Sequence, residues 1–154
     1  MLLRDSHPKW DFRNSEKGII TELKDLQQLQ TEKKYGENSR IDILGMDPSG
    51  KQVYIEVKNV SLKEGSTALF PDSVTERGTK HLRELMTVVK NGKRAVMLYI
   101  AQRSDVTSFA PAKEIDPLYA KTLWEAVEHG VEIYAYNCLV LPTHITVHKA
   151  LKIL

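Results

Sequence analysis

The sequence has little of what marks secreted or membrane proteins. Its one cysteine, Cys138, excludes an internal disulfide, and the apolar residues 139–141 identify it as a small core residue, with a reactive thiol as the alternative. No run approaches the roughly 18 apolar residues that span a bilayer. Residues 1–15 contain no apolar core of signal-peptide length. These absences predict a cytoplasmic protein with no membrane partner.

A strong excess of one charge is missing too. The 22 lysines and arginines face 20 acidic residues, for a net charge of +2. The global charge therefore does not by itself indicate a nucleic-acid partner. Positive charge is concentrated between residues 74 and 94, where six cations and two anions give a net +4. The cations are Arg77, Lys80, Arg83, Lys90, Lys93 and Arg94.

The size and composition suit one compact domain. The chain has 154 residues and 42% hydrophobic content, enough for a core. Residues 1–18 are polar, with Pro8 and Gly18 as breakers, and are predicted to form an N-terminal arm. Residues 19–154 are predicted to form a single domain without a repeat or a linker.

Residues 39–62 contain two strand-like runs joined by turn residues at 47–50. Aliphatic and polar side chains alternate in each run, as in a strand with one buried face. The runs are predicted to pair as an antiparallel hairpin that brings Asp42 and Glu56 together on one face. Lys58, two residues after Glu56, reaches the same face. On the opposite face the pattern places Ile41, Ile43, Val53, Ile55 and Val57.

The rest of the chain predicts helices and strands. Helical spacing of apolar residues indicates a short helix over residues 19–25. Ser73, as the N-cap of a capping box, predicts a helix over residues 74–90. Asp116 begins a further helix that Gly130 ends. Further strands are predicted at 29–35, 95–101, 131–141 and 145–154, with a loop at 61–71. This order predicts an α/β sandwich with one mixed sheet.

The acids of the hairpin, with the lysine, form a pattern typical of metal-dependent phosphodiesterases. Mg²⁺ prefers oxygen ligands and commonly takes one or two carboxylates with waters and substrate phosphate. The carboxylates of Asp42 and Glu56 and the carbonyl of Val57 are the predicted metal ligands. Lys58 is predicted to hold the attacking water, to stabilise phosphoryl charge or to act as base. The alternative is a solvated sheet face whose Glu–Lys surface pair contributes under about 1 kcal/mol.

Other side chains are candidates for DNA contact. Arg40 lies beside Asp42 in the sequence, where it could hold that carboxylate ionised or reach phosphate. Arg77, Lys80 and His81 lie on the predicted helix that follows the hairpin, where they could contact phosphate. The alternative is a solvated helix face and, for His81, a packed histidine. Tyr54 could stack on a base, with core packing as the alternative.

Several segments together resemble one known family, the sugar fermentation stimulation protein A family. The similarity covers roughly residues 30–137. The segments are 34–36 (KYG), 38–42 (NSRID), 54–60 (YIEVKNV), 70–85 (FPDSVTERGTKHLREL), 109–112 (FAPA), 115–117 (IDP) with Tyr119, and 130–133 (GVEI).

This resemblance implies a PD-(D/E)XK (restriction-endonuclease-like) fold, in which one mixed central sheet is flanked by helices. It implies Asp42, Glu56 and Lys58 as the motif residues, DNA as the ligand and Mg²⁺ or Mn²⁺ as the cofactor. The family normally carries an OB-fold-like DNA-binding domain before the nuclease domain, which is expected to be absent here. Related nucleases can draw an extra acid from the first helix, for which Glu16 or Glu22 is the candidate.

Three hypotheses for function follow. The first is a metal-dependent nuclease that hydrolyses the DNA backbone. The second is a catalytically silent DNA-binding regulatory protein linked to sugar (maltose) metabolism, which is the role that the family name reflects. The third is an interaction domain whose last strand, residues 145–154, is an open sheet edge that pairs with a second copy to form a homodimer.

Overall fold

The structure is a computed structural model that describes residues 20–35 and 39–154. The predicted N-terminal arm, Glu16 and residues 36–38 lie outside the described residues. In the described part, the elements in chain order are β1 (Gln27–Tyr35), β2 (Ser39–Met46), β3 (Gln52–Val60), β4 (Leu62–Glu64), β5 (Thr67–Phe70), α1 (Glu76–Lys90), β6 (Arg94–Ala101), β7 (Ser108–Pro111), α2 (Pro117–Glu128), β8 (Glu132–Val140), β9 (Ile145–Ala150) and β10 (Lys152–Ile153).

A six-stranded mixed sheet forms the centre of the fold, in the order β1-β2-β3-β6-β8-β9. β3, β6 and β8 run parallel, and the pairs β1–β2, β2–β3 and β8–β9 are antiparallel. Every residue of β6 from Ala95 to Ala101 is buried, as expected for a continuous apolar strand covered on both faces. The predicted mixed α/β architecture and the hairpin of β2 and β3 are confirmed.

A second sheet, in the order β10-β7-β5-β4, was not predicted. β5 runs parallel to β7, and β7 runs parallel to β10, so strands distant in the sequence are paired. The prediction of a loop at 61–71 is therefore wrong, because this region holds β4 and β5. The predicted last strand is divided at the buried Leu151, where the chain passes from β9 in the central sheet to β10 in the second sheet.

The two helices pack on one face of the central sheet, where Leu82, Leu85 and Leu123 are fully buried. The opposite face carries Ile20 and Leu23 in one core cluster with β3 and β6 side chains. The short helix predicted at residues 19–25 is, in the described residues, a single 3-10 turn at Thr21–Leu23. Neither helix in the described part of the chain has the length and apolar character to cross a membrane.

The N-cap of α1 is Thr75 and not the predicted Ser73. The Thr75 hydroxyl accepts a hydrogen bond of 2.9 Å from the Gly78 N–H. The cap is fixed from elsewhere in the chain, since the Thr75 N–H donates to Asp116 Oδ2 at 2.8 Å. Asp116 is also the N-cap of α2, as predicted, and accepts from the Tyr119 N–H at 3.0 Å. One buried carboxylate therefore holds the starts of both helices.

Replacing Asp116 with alanine is expected to lower the free energy of unfolding by about 2 kcal/mol, because it removes a helix cap and leaves the partly buried Thr75 N–H without its acceptor. Urea unfolding measures this change. The matched control is Asp72→Ala, at an exposed aspartate outside both helices, for which a change within about 0.5 kcal/mol is expected. Equal stability of the two variants would contradict the shared-cap interpretation.

Candidate functional site

The first feature of the site is a pair of buried carboxylates on adjacent strands. The β2–β3 pairs run from Met46–Gln52 to Ile43–Ile55, which leaves Asp42 and Glu56 as the next residues facing each other. Asp42 is 8% exposed and Glu56 is 4% exposed. The structure therefore brings together the two acids that the hairpin pattern selected.

Asp42 is held in place by the strand beside it. Its Oδ2 accepts a hydrogen bond of 2.7 Å from the Val57 N–H. Ile41 belongs to the helix-side core cluster and Ile43 to the opposite cluster, so the predicted shared face of the two isoleucines is wrong. Strict alternation is broken around Asp42, where β2 passes beyond its last pair with β3.

Glu56 is engaged through one oxygen only. Its Oε2 lies 3.4 Å from Lys58 Nζ and 3.1 Å from His81 Nδ1. Lys58 Nζ and His81 Nδ1 are 3.2 Å apart, so the three side chains form a closed cluster. Glu56 Oε1 is buried and has no hydrogen-bond partner in the described part of the chain. This arrangement leaves one carboxylate oxygen available for a cation or a donor.

The electrostatics of this cluster favour the Glu56 anion. Burial acts to raise the pKa of Glu56, but the His81 hydrogen bond and the charges of Lys58 and His81 outweigh it and lower that pKa. The Lys58 side chain is only 15% exposed. The interpretation of Glu56 and Lys58 as a solvated surface pair is therefore wrong.

A third carboxylate and a phenol adjoin the pair. The pKa of Tyr35 is raised well above its usual value, by burial first and then by the negative charges of Glu56, Glu84 and Asp42. The Tyr35 hydroxyl and Glu84 Oε1 are also buried without a hydrogen-bond partner among the described residues. Neither residue was predicted to belong to the site. Glu84 lies three positions after His81 on α1, a spacing that places both on one helix face and could have indicated it.

The other predicted residues are distributed around the site. Arg40 is exposed and its Nη1 donates to the Glu32 carbonyl at 3.1 Å. Arg77 and Lys80 are exposed on α1, whereas His81 is buried against Glu56. Arg40, Arg77 and Lys80 therefore lie on the protein surface, whereas His81 contacts Glu56 inside the site.

Glu22 does not join the acid pair. Its Oε1 accepts a hydrogen bond of 2.9 Å from the Tyr136 hydroxyl. Tyr136 belongs to the core cluster on the face of the sheet opposite to α1, whereas Glu56 contacts α1 through His81. The prediction of Glu22 as the extra acid is therefore wrong, and Glu84 is the further acid that lies near the pair.

The donor set can be compared with the needs of metal ions. The described residues hold no group of three or more His, Cys, Asp or Glu side chains that could bind a metal. The candidate ligands in the site are the carboxylates of Asp42 and Glu56 and the adjoining Val57 peptide. Of these, Glu56 Oε1 has no hydrogen-bond partner in the described residues. Such a set does not suit Zn²⁺, which takes nitrogen and sulfur ligands in closed sites. It fits Mg²⁺ or Mn²⁺, which keep waters and take substrate oxygens.

Comparison with known proteins gives consistent matches. A family model described as the sugar fermentation stimulation protein RE domain matches residues 12–144. A sugar fermentation stimulation protein homolog of Geobacter sulfurreducens is 49% identical over 139 residues, which cover 90% of this chain and 59% of the relative. One of Shewanella baltica is 53% identical over 135 residues, covering 87% of this chain and 58% of the relative.

A solved structure has the same fold. It is the Pyrococcus furiosus SfsA protein in complex with Ca²⁺, with a TM-score of 0.81 and 34% sequence identity. The match covers 88% of this chain and 58% of that chain. The chain thus spans somewhat under three fifths of the length of the relatives it matches.

Proposed function

Because the chain belongs to the sugar fermentation stimulation protein family, as its motifs predicted, we propose that it is a metal-dependent nuclease of the PD-(D/E)XK type that hydrolyses the DNA backbone. The observation that carries the proposal is the buried acid pair of Asp42 and Glu56. One oxygen of Glu56 has no partner in the described residues, and Lys58 lies 3.4 Å from the other. Buried, unpaired carboxylate oxygens are costly and call for a bound cation or donor.

In this proposal Asp42, Glu56 and the Val57 carbonyl hold Mg²⁺ or Mn²⁺. The ion, when bound, supplies Lewis-acid activation of phosphate and a lowered pKa of bound water. The Ca²⁺ in the Pyrococcus furiosus SfsA structure supports the choice of a hard cation, since Ca²⁺ and Mg²⁺ both take oxygen ligands.

The residues of the chain have separate tasks. The hydrogen bond from the Val57 N–H fixes the Asp42 carboxylate before a ligand arrives, which avoids reorganisation during the reaction. Lys58 presents an ammonium group beside Glu56, where it holds the attacking water or stabilises phosphoryl charge. His81 contacts both groups and positions them. The exposed Arg77 and Lys80 on α1 meet the DNA phosphates.

Incubation of the protein with plasmid and single-stranded DNA tests the proposal. Cleavage is expected with Mg²⁺ or Mn²⁺ and is expected to stop in EDTA, because the acid pair alone cannot activate water for attack on phosphorus. Gel electrophoresis of the products measures it. Intact DNA under all metal conditions, or cleavage that continues in EDTA, would contradict the proposal.

A second candidate is a catalytically silent DNA-binding regulator linked to sugar metabolism. It is favoured by the small set of metal ligands. Asp42 and Glu56 supply two carboxylates, and the described residues hold no group of three or more His, Cys, Asp or Glu side chains that could bind a metal. Titration of DNA in EDTA separates the two candidates. Tight binding without metal that falls steeply with salt supports the regulator, because phosphate contacts release counterions. Binding that requires metal supports the nuclease.

A further inference from the structure

A groove of about 540 Å³ opens beside the acid pair, between the end of β1, β3 and one face of α1. Tyr54 precedes Glu56 by two positions on the same strand, and Glu84 follows His81 by one helical turn, so the groove adjoins the proposed cleavage site. The side chains that give it chemical character are two aromatic rings, three cations and one carboxylate: Tyr35, Tyr54, Lys80, Arg83, Lys93 and Glu84.

Two residues that line this groove each carry a buried polar atom without a partner among the described residues. Glu84 Oε1 and the Tyr35 hydroxyl are buried and make no hydrogen bond within the described part of the chain. Buried polar atoms are almost always paired in folded proteins, so each unpaired one requires an explanation. The proposed nuclease chemistry uses neither Tyr35 nor Glu84. A ligand with an N–H donor for Glu84 and a polar group for Tyr35 would pair both atoms once the two side chains turn toward the groove.

The walls of the groove suit a nucleotide. The Tyr35 and Tyr54 rings lie 5.8 Å apart between centroids, with their planes tilted by 45°. Lys93 Nζ lies 5.7 Å from the centre of the Tyr54 ring, and Arg83 lines the same groove. Tyrosine rings stack on unpaired bases, and lysine and arginine contact the phosphates on either side.

We propose that the groove receives one unpaired nucleotide of the DNA strand, next to the phosphate that is cleaved at the Asp42–Glu56 site. Glu84 accepts a hydrogen bond from the exocyclic amino group of the base, as acidic side chains do from the N4 amino group of cytosine. Tyr35 pairs its hydroxyl with the neighbouring ring nitrogen. The substrate class is therefore single-stranded or locally unpaired DNA, with preference for an amino-bearing base over thymine. This inference rests on the proposed nuclease function.

Fluorescence anisotropy with labelled dC16, dT16 and a 16-base-pair duplex tests the proposal, with Ca²⁺ in place of Mg²⁺ and intact DNA verified on gels. Single strands are expected to bind at least about tenfold more tightly than the duplex, because the duplex cannot place an unstacked base in the groove. Glu84→Gln is expected to lower the preference for dC16 over dT16 about tenfold, since a charge-assisted acceptor is lost.

Two further variants make the result decisive. Glu128→Gln removes the same charge from an exposed position on α2 and is expected to leave the dC16 to dT16 ratio unchanged. Tyr35→Phe keeps the ring and removes the hydroxyl, and is expected to weaken dC16 binding about threefold. The Tm of Glu84→Gln is expected to be unchanged or higher, because the substitution removes a negative charge from a partly buried position.

Three results would overturn the inference. The first is an unchanged ratio of dC16 affinity to dT16 affinity in Glu84→Gln. The second is equal binding of duplex and single strands. The third is a fall in the Tm of Glu84→Gln, which would give the carboxylate a structural role. Any of these with metal-dependent cleavage intact removes the groove inference alone. Absence of both DNA binding and cleavage removes the proposed function and this inference together.

Discussion

Glu56→Gln is expected to lower metal-dependent DNA cleavage by about a thousandfold or more. Glutamine keeps the volume of glutamate but removes the charge that holds a divalent ion, and the metal contributes several kcal/mol of transition-state stabilisation. The change also removes the anion that Lys58 and His81 contact at 3.4 and 3.1 Å. Initial rates of cleavage of a supercoiled plasmid in Mg²⁺ and in Mn²⁺ measure the effect.

The matched control is Glu128→Gln, which makes the same chemical change on the exposed surface of α2. It is expected to cleave at the wild-type rate. Because all variants are purified identically, the comparison also excludes a contaminating nuclease as the source of activity. A Glu56→Gln rate within a few-fold of the control would remove Glu56 from the proposed reaction.

Lys58→Met is expected to lower cleavage about a hundredfold or more while DNA affinity changes little. Methionine preserves most of the aliphatic stem and removes the ammonium that lies beside Glu56 and His81. A group that stabilises phosphoryl charge or moves a proton in the transition state contributes at about this level. Single-turnover cleavage, with DNA affinity determined in parallel, separates the loss of rate from a loss of binding.

Lys121→Met serves as the control for the lost positive charge, because Lys121 is exposed on α2 away from the acid pair. Its cleavage rate and affinity are expected to match the wild type. If Lys58→Met loses DNA affinity but keeps the wild-type single-turnover rate at saturating protein, Lys58 binds phosphate in the ground state and has no separate role in the chemical step.

The elements predicted best are those whose sequence pattern lies within a few neighbouring residues. The alternation and the turn residues in 39–62 were sufficient to predict the hairpin of β2 and β3, although β2 is buried on both faces and its two isoleucines lie in different core clusters. The proximity of Asp42 and Glu56 followed from that pairing. Asp116 was identified as an N-cap because its side chain and the following Pro117 act within one helical turn.

The errors arose where distant segments determine the local structure. Ser73 fits a capping box, yet Thr75 is the cap because Asp116, in another part of the chain, binds the Thr75 N–H. The second sheet consists of strands of two to four residues, too short to show a periodic pattern, and its pairs join β5 to β7 and β7 to β10.

In the site too, contacts between distant segments could not be predicted from the sequence. Sequence spacing related Glu56 to Lys58, which are neighbours on one strand. The contact of His81 with Glu56 and the approach of Glu84 and Tyr35 depend on how α1 packs over the sheet. The helix spacing relates Glu84 to His81 but does not show that this face of α1 meets the acid pair. The family resemblance pointed to Glu16 or Glu22 instead, and the Glu22 carboxylate binds Tyr136 on the opposite face.

Diffraction from crystals soaked in Mn²⁺, with data collected to give an anomalous difference map, tests the central claim most directly. One strong peak is expected, bonded to the carboxylates of Asp42 and Glu56 and to the Val57 carbonyl and absent from crystals of Glu56→Gln. Glu56 Oε1, now unpartnered in the described residues, is expected to be one of the ligands. A peak elsewhere, or crystals without bound Mn²⁺ in which Glu56 contacts only Lys58 and His81, would contradict the assignment of this pair as a metal site.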